Sequence, residues 1–245
     1  TTEIYTLSLH DALPIFRAWY AEKSECLMTL RPALVFRWIA FLLAAGYCIR
    51  TLFFGGWDGF GGPFRYLTIW ALFCSFFAFS RMMAIEEGRS DRRWDGFVCM
   101  TAVINTMVVF LYWRLYFADA TSVTDGGELR AWVLELYLHG LGPLLQVIDT
   151  IFVHRSYRRL TASIAWLVGL IATYVLWVEL FVQQYNDSPE GSVTSGLSYP
   201  FLNNLELSER AVFYASNLAV GIVVLLIYAA ITWAVRRRFP APVMP

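Results

Sequence analysis

Six apolar stretches, each long enough to cross a bilayer, constrain this chain more than any other feature. A hydrocarbon core about 30 Å thick needs about 20 mostly apolar residues in a helix, because lipid offers no partner for an unpaired peptide group. Residues 34–54, 64–85, 96–117, 129–153, 161–182 and 209–235 meet that requirement. They take up most of the 245 residues, so no sizeable water-soluble domain fits between them. Composition agrees: 16% of residues are charged, against about 25% in an average soluble domain. The expected fold is all-α, a polytopic membrane bundle of six transmembrane helices over 31–238, with a short tail at 239–245. No internal repeat is visible, which argues against an inverted-repeat transporter.

The first fifteen residues, TTEIYTLSLHDALPI, lack the basic start and continuous apolar centre of a signal peptide. They resemble a translated sequencing adapter. Residues 1–30 are therefore read as a disordered or artefactual segment, with Met28 a plausible start. His10 and Asp11 are set aside with it as a catalytic pair.

Cations alternate from loop to loop. Arg17, Lys23 and Arg31 precede the first span; Arg89, Arg92 and Arg93 follow the second; Arg155, Arg158 and Arg159 follow the fourth; Arg236, Arg237 and Arg238 follow the sixth. The intervening loops hold no Lys or Arg and carry Asp58, Asp119, Asp125, Glu128, Asp187, Glu190 and Glu206. The positive-inside rule then puts both termini in the cytoplasm and requires an even number of spans. Lys plus Arg and Asp plus Glu are 19 each, so no basic excess points to nucleic acid. Cys26, Cys48, Cys74 and Cys99 show no paired spacing and read as thiols, with no metal site or cofactor expected.

Polar residues inside the spans carry what chemistry there is. At about 100° per residue, Glu135, His139, Gly142, Gln146 and Asp149 fall within an arc of about 80° on the fourth span. Such a stripe must face the bundle interior. Pro143 frees the His139 carbonyl and kinks the helix beside it. Each residue also has a plainer role. His139 could be an interhelical hydrogen-bond donor, Asp149 could pair with Arg155 or Arg81, and Thr68 by default bonds the carbonyl four residues back. Asn105, Arg114, Glu179 and Asn217 lack comparable neighbours.

Four short motifs stand in a telling order. Phe64-Arg65-Tyr66-Leu67-Thr68 opens the second span. His139-Gly140-Leu141-Gly142-Pro143, followed by Asp149, lies in the fourth. His154-Arg155-Ser156-Tyr157 ends it, and Tyr199-Pro200-Phe201-Leu202 precedes the sixth. Over 34–235 the chain resembles the androgen-induced and androgen-dependent TFPI-regulating family of six-span membrane hydrolases, and more so its bacterial six-helix relatives. The resemblance implies a bacterial inner-membrane protein. It also implies hydrolysis of fatty acid esters of hydroxy fatty acids, with Thr68 as nucleophile, His139 as base and Asp149 as the acidic residue ten positions on. The chain departs from the family at Leu136, where the eukaryotic motif has a second His. It departs again at Trp70, Ala71 and Leu72, where bacterial relatives carry polar residues.

The residues fit that chemistry. An alcohol needs a base, and imidazole is the usual one. Counted along the helices, Thr68 sits about 6 Å and His139 about 15 Å inside the boundary, an offset of about 9 Å. Glu135, one turn from His139, is in reach to orient the imidazole, whereas Asp149 is about 15 Å away along the axis. Arg65 could hold a substrate carboxylate at the interface. Two other classes fit the same residues: a proton- or solute-coupled carrier with Glu135, His139 and Asp149 as a relay, and a non-enzymatic scaffold whose polar groups bind helix to helix.

Overall fold

The structure, a computed structural model, describes residues 32–57, 59–120, 123, 132–187 and 196–239. The segment 1–30, with the adapter-like residues, His10, Asp11 and Cys26, lies outside the described residues. So do Arg17, Lys23, Arg31, Asp58, Asp125, Glu128, Glu190 and the tail beyond Phe239.

Among the described residues there are no strands, and six helices are long and apolar enough to cross a membrane. They are α1 (Pro32–Phe54), α2 (Leu67–Glu86), α3 (Asp95–Ala118), α4 (Trp132–Val153), α5 (Leu160–Tyr185) and α6 (Leu207–Arg238). Each begins and ends within three residues of the stretch expected from hydropathy, and the protein is an integral membrane helix bundle.

Burial ranks the helices. Helix α3 lies in the middle of the bundle. Every residue from Gly96 to Asn105 is buried, and α3 packs on α2, α4, α5 and α6. Its Val98, Cys99, Met100, Val103 and Ile104 form one core with Ala78 and Met82 of α2, Leu167 of α5 and Leu225 of α6. The outer helices turn large apolar side chains outward instead: Ile39, Leu42, Ile49 and Phe53 on α1, and Val212, Val220, Val223 and Ile227 on α6. Lipid is the medium in which such a surface carries no hydrophobic penalty. The thiols of Cys48 and Cys99 are buried and that of Cys74 is half-buried, all unpaired.

The two ends of the bundle differ in chemistry. At one, the arginine-rich connections meet: Arg93 donates to the His154 carbonyl at 3.0 Å, Arg236 donates to the carbonyls of Arg155 and Ser156, and His154 Nε2 lies 3.1 Å from Asp95. At the other, a glycine turn meets the α5–α6 connection. Asn186 accepts from the Phe60 amide at 2.8 Å and donates back to its carbonyl at 3.1 Å. Asn203 does the same for Leu197, at 3.0 Å both ways. Helix α6 starts at this end on a reciprocal cap between Glu206 and Glu209.

A deeply buried charge holds α1 in the bundle. Arg37 is 2% exposed and donates to Asp149 at 2.7 Å, Glu86 at 3.0 Å and the Met82 carbonyl at 3.3 Å. The partner expected for Asp149 was Arg155 or Arg81; the structure corrects this to Arg37 of α1. Arg155 instead turns into the left-handed region (φ 53) just past α4 and bonds backbone carbonyls.

Candidate active site

The site begins with the turn before α2. Gly61 adopts φ 87, and Pro63 then starts a short 3-10 turn, Gly62–Arg65. Two consecutive carbonyls of this turn are held by four side-chain donors. The Phe64 carbonyl accepts from the indoles of Trp70 and Trp177, each at 3.0 Å. The Arg65 carbonyl accepts from the Tyr174 hydroxyl at 2.9 Å and from Ser198 at 3.2 Å.

Thr68 is the second residue of α2 and Tyr66 before it is extended (φ −103, ψ 130), so the carbonyl four residues back, that of Phe64, lies in the preceding turn and outside the helix. Two indoles already occupy that carbonyl. The Thr68 Oγ1 faces α4 and lies 3.3 Å from His139 Nε2. The axial offset of about 9 Å expected from the span boundaries is absent in the folded bundle, where α2 starts at Leu67 on this turn and α4 is kinked.

Helix α4 is built to present His139. Pro143 cannot donate to the His139 carbonyl, and the chain widens to a π-helical turn over Tyr137–Leu141 with His139 at φ −113, ψ 21. The freed carbonyl accepts from the Trp113 indole of α3 at 2.8 Å. Next to Trp113, Tyr112 stacks its ring on the imidazole, with centroids 3.5 Å apart and planes within 5°. Ring and backbone of His139 are thus both held by α3.

The other imidazole nitrogen, Nδ1, lies 2.9 Å from Oε2 of Glu135, one turn along α4. The two approach at this distance without the alignment of a full hydrogen bond. Thr68, His139 and Glu135 therefore form a line of hydroxyl, imidazole and carboxylate. The stripe read from the sequence does face inward: His139, Gly142, Gln146 and Asp149 are buried and Glu135 half-buried, while Leu136, Leu141 and Leu144 point outward.

Thr68, His139 and Glu135 line a cavity of about 610 Å³ among α2, α3, α4, α5 and α6. Its walls are mostly aliphatic and aromatic. Arg65, Tyr66, Ser198 and Tyr199 stand at the glycine-turn end, and burial pushes the Tyr199 phenol above its ordinary pKa, keeping it protonated. The Arg65 Nε donates to the Gly62 carbonyl at 3.1 Å, and no carboxylate pairs with its guanidinium among the described residues.

Asp149 is not part of this line. It does not border the cavity, and its Oδ1 is taken by Arg37. Asn105 bonds Ser75 at 2.9 Å. Glu179 accepts from Nε and Nη2 of Arg210, each at 2.9 Å, and from the Tyr214 hydroxyl at 2.8 Å. Asn217 borders the cavity, with its amide on the Phe213 carbonyl at 2.8 Å.

Sequence reasoning missed Arg37, Tyr112 and Trp113. A cation near the start of the first span was a signal for Arg37, since when buried it must find an acid. The two aromatics carried none, because α3 is aromatic along much of its length.

A sequence-family model described as FAR-17a/AIG1-like protein matches residues 32–233, nearly all of the described chain. No curated protein and no solved structure shows significant similarity to it.

Proposed function

We propose that this chain, which belongs to the FAR-17a/AIG1-like family, is an integral-membrane hydrolase of fatty acyl esters, of the type formed by a fatty acid on a hydroxy fatty acid. Thr68 is the nucleophile, His139 the general base and Glu135 the group that orients the imidazole. One observation carries the reading: a Thr hydroxyl 3.3 Å from an imidazole whose other nitrogen lies 2.9 Å from a carboxylate, all on the wall of an apolar cavity.

The chemistry follows from that line. Thr68 Oγ1 bonds to the ester carbonyl carbon as its proton passes to His139 Nε2. The ester C–O bond breaks, and the leaving alcohol takes that proton. Water then gives a proton to Nε2 and attacks the acyl-Thr68 carbon. The fatty acid leaves, and Thr68 recovers its proton, so one water is consumed per ester. Glu135 stabilises the imidazolium formed in each half-reaction. A contact of 3.3 Å is long for proton transfer, as apo sites commonly are before substrate tightens them. Arg65 binds the free carboxylate of the substrate at the cavity mouth.

The arginine pattern supports an orientation with both termini cytoplasmic, as in a bacterial inner membrane, and the glycine-turn end facing outward.

Labelling purified protein with a fluorophosphonate probe, then mapping the adduct, tests the reading. The adduct is expected on Thr68. Thr68→Ala and His139→Ala are each expected to abolish ester turnover without unfolding, and the double variant to be no worse than either alone. Thr68→Ser, which keeps the hydroxyl, retains part of the activity. Full turnover by folded Thr68→Ala protein would overturn the proposal.

A further inference from the structure

We infer that the inner part of the cavity is a blind slot for one unbranched acyl chain, and that Gly221 forms its floor. The inference rests on the hydrolase reading for the position of the ester, though not for the slot itself.

The slot has a measurable depth. Tyr112 stacks on His139, so it marks the level of the imidazole on α3. The cavity continues along α3 through Val108 and Met107 to Ile104. Ile104 is eight residues from Tyr112, and a rise of about 1.5 Å per residue puts it about 12 Å deeper. A saturated chain of tetrahedral carbons advances about 1.25 Å per bond, so about ten carbons fill that depth.

The slot is sealed one helical turn further in. Ile104, Leu167 and Gly221 border the cavity; Met100, Ser163 and Leu225, each four residues deeper on the same three helices, do not, and all three are 0% exposed. The walls between the two levels carry no charge. Apolar lining, a closed end and a reactive pair about 12 Å above it fit the tail of a straight acyl chain, whose carbonyl then lies at Thr68.

Gly221 is what leaves the bottom open. It is a helical residue with no positive φ to explain it. A carbon added there would meet Leu167 at 3.6 Å, Val103 at 3.8 Å and Met107 at 3.9 Å, which is ordinary contact. A Cβ there clashes with nothing, and every carbon of a side chain takes up slot volume. Protein interiors are packed about as densely as organic crystals, so each side-chain carbon displaces roughly one ligand carbon.

The test uses the full chain in detergent or nanodiscs and two readouts. The first is turnover of p-nitrophenyl esters from acetate to palmitate. The second, independent of turnover, is displacement of a bound fluorescent fatty acid by free acids of the same lengths, on protein carrying Thr68→Ala. The expected optimum is near decanoate. Gly221→Val should move it about three carbons shorter, and Met107→Ala about three carbons longer, in both readouts. Where the valine variant fails to fold, Gly221→Ala should still move it by about one carbon. If the protein turns over no ester yet displacement shows these shifts, the hydrolase reading fails and the slot stands. If folded Gly221 and Met107 variants keep the native length profile in displacement, the slot is wrong, whatever turnover does.

Discussion

At the scale of single residues, hydrogen bonds to the turn before α2 set the site. Thr68 is the second residue of α2 and faces His139, and Trp70 and Trp177 hold the turn from which that helix starts. Removing both indoles should loosen the turn that positions Thr68 and lower turnover, although neither indole touches the imidazole. A Trp70→Phe, Trp177→Phe double variant, with intact folding by thermal melt, checks this. Glu135 gives a second outcome. Glu135→Gln keeps the side-chain shape but loses the charge that stabilises the imidazolium, so turnover should fall by about tenfold or more with substrate binding little changed. A loss confined to KM would place Glu135 in binding instead. Glu135 and His139 could be picked out from the sequence by type and spacing, and Thr68 only through the family resemblance. Tyr112 and Trp113 could not, because their value lies in which face of α3 meets α4, and hydropathy does not report that in a helix apolar all round.

At the scale of the element, α4 departs from regular geometry twice, at Tyr137–Leu141 in the candidate site and at Asp149–Val153. Pro143 and the π-helical turn at Tyr137–Leu141 carry the imidazole toward Thr68, and Trp113 satisfies the carbonyl left over. Pro143→Ala would restore a donor to that carbonyl and favour a straight helix. The expected result is equal or greater thermal stability with reduced turnover; unchanged turnover would show that the kink is incidental. Lower on α4, Asp149 works by a different logic. Its pairing with Arg37 is buried on both sides, and removing one partner of such a pair costs about 3–5 kcal/mol. Asp149→Leu and Arg37→Met should each destabilise by that order, while the double variant recovers much of the loss. A thermodynamic cycle on detergent-solubilised protein reads this directly. The kink was legible from Pro143. The partner of Asp149 was not, because the span boundaries gave no distance between α1 and α4, and the nearer arginines in sequence were the wrong ones.

At the scale of the molecule, the count and limits of the spans could be read from the sequence, because lipid leaves a chain few alternatives and most boundaries fall beside charged residues or glycine. The order of packing could not: nothing in the apolar pattern said that α3 would be central and α1 peripheral. Orientation is open to direct measurement. With endogenous cysteines replaced, a cysteine at Ser198 should react with an impermeant maleimide from outside intact cells, and one at Arg158 only after permeabilisation. The reverse pattern would invert the assignment.

The blind end of the cavity bears on membrane asymmetry. A passage through the bundle would let a lipid enter from one leaflet and leave into the other. Here the next turn of α3, α5 and α6 closes the way, with Met100, Ser163 and Leu225 fully enclosed. On the proposed hydrolase reading, an ester reaching Thr68 would arrive from the glycine-turn side and its acid and alcohol would return there, so turnover would alter one leaflet and leave the other as it was.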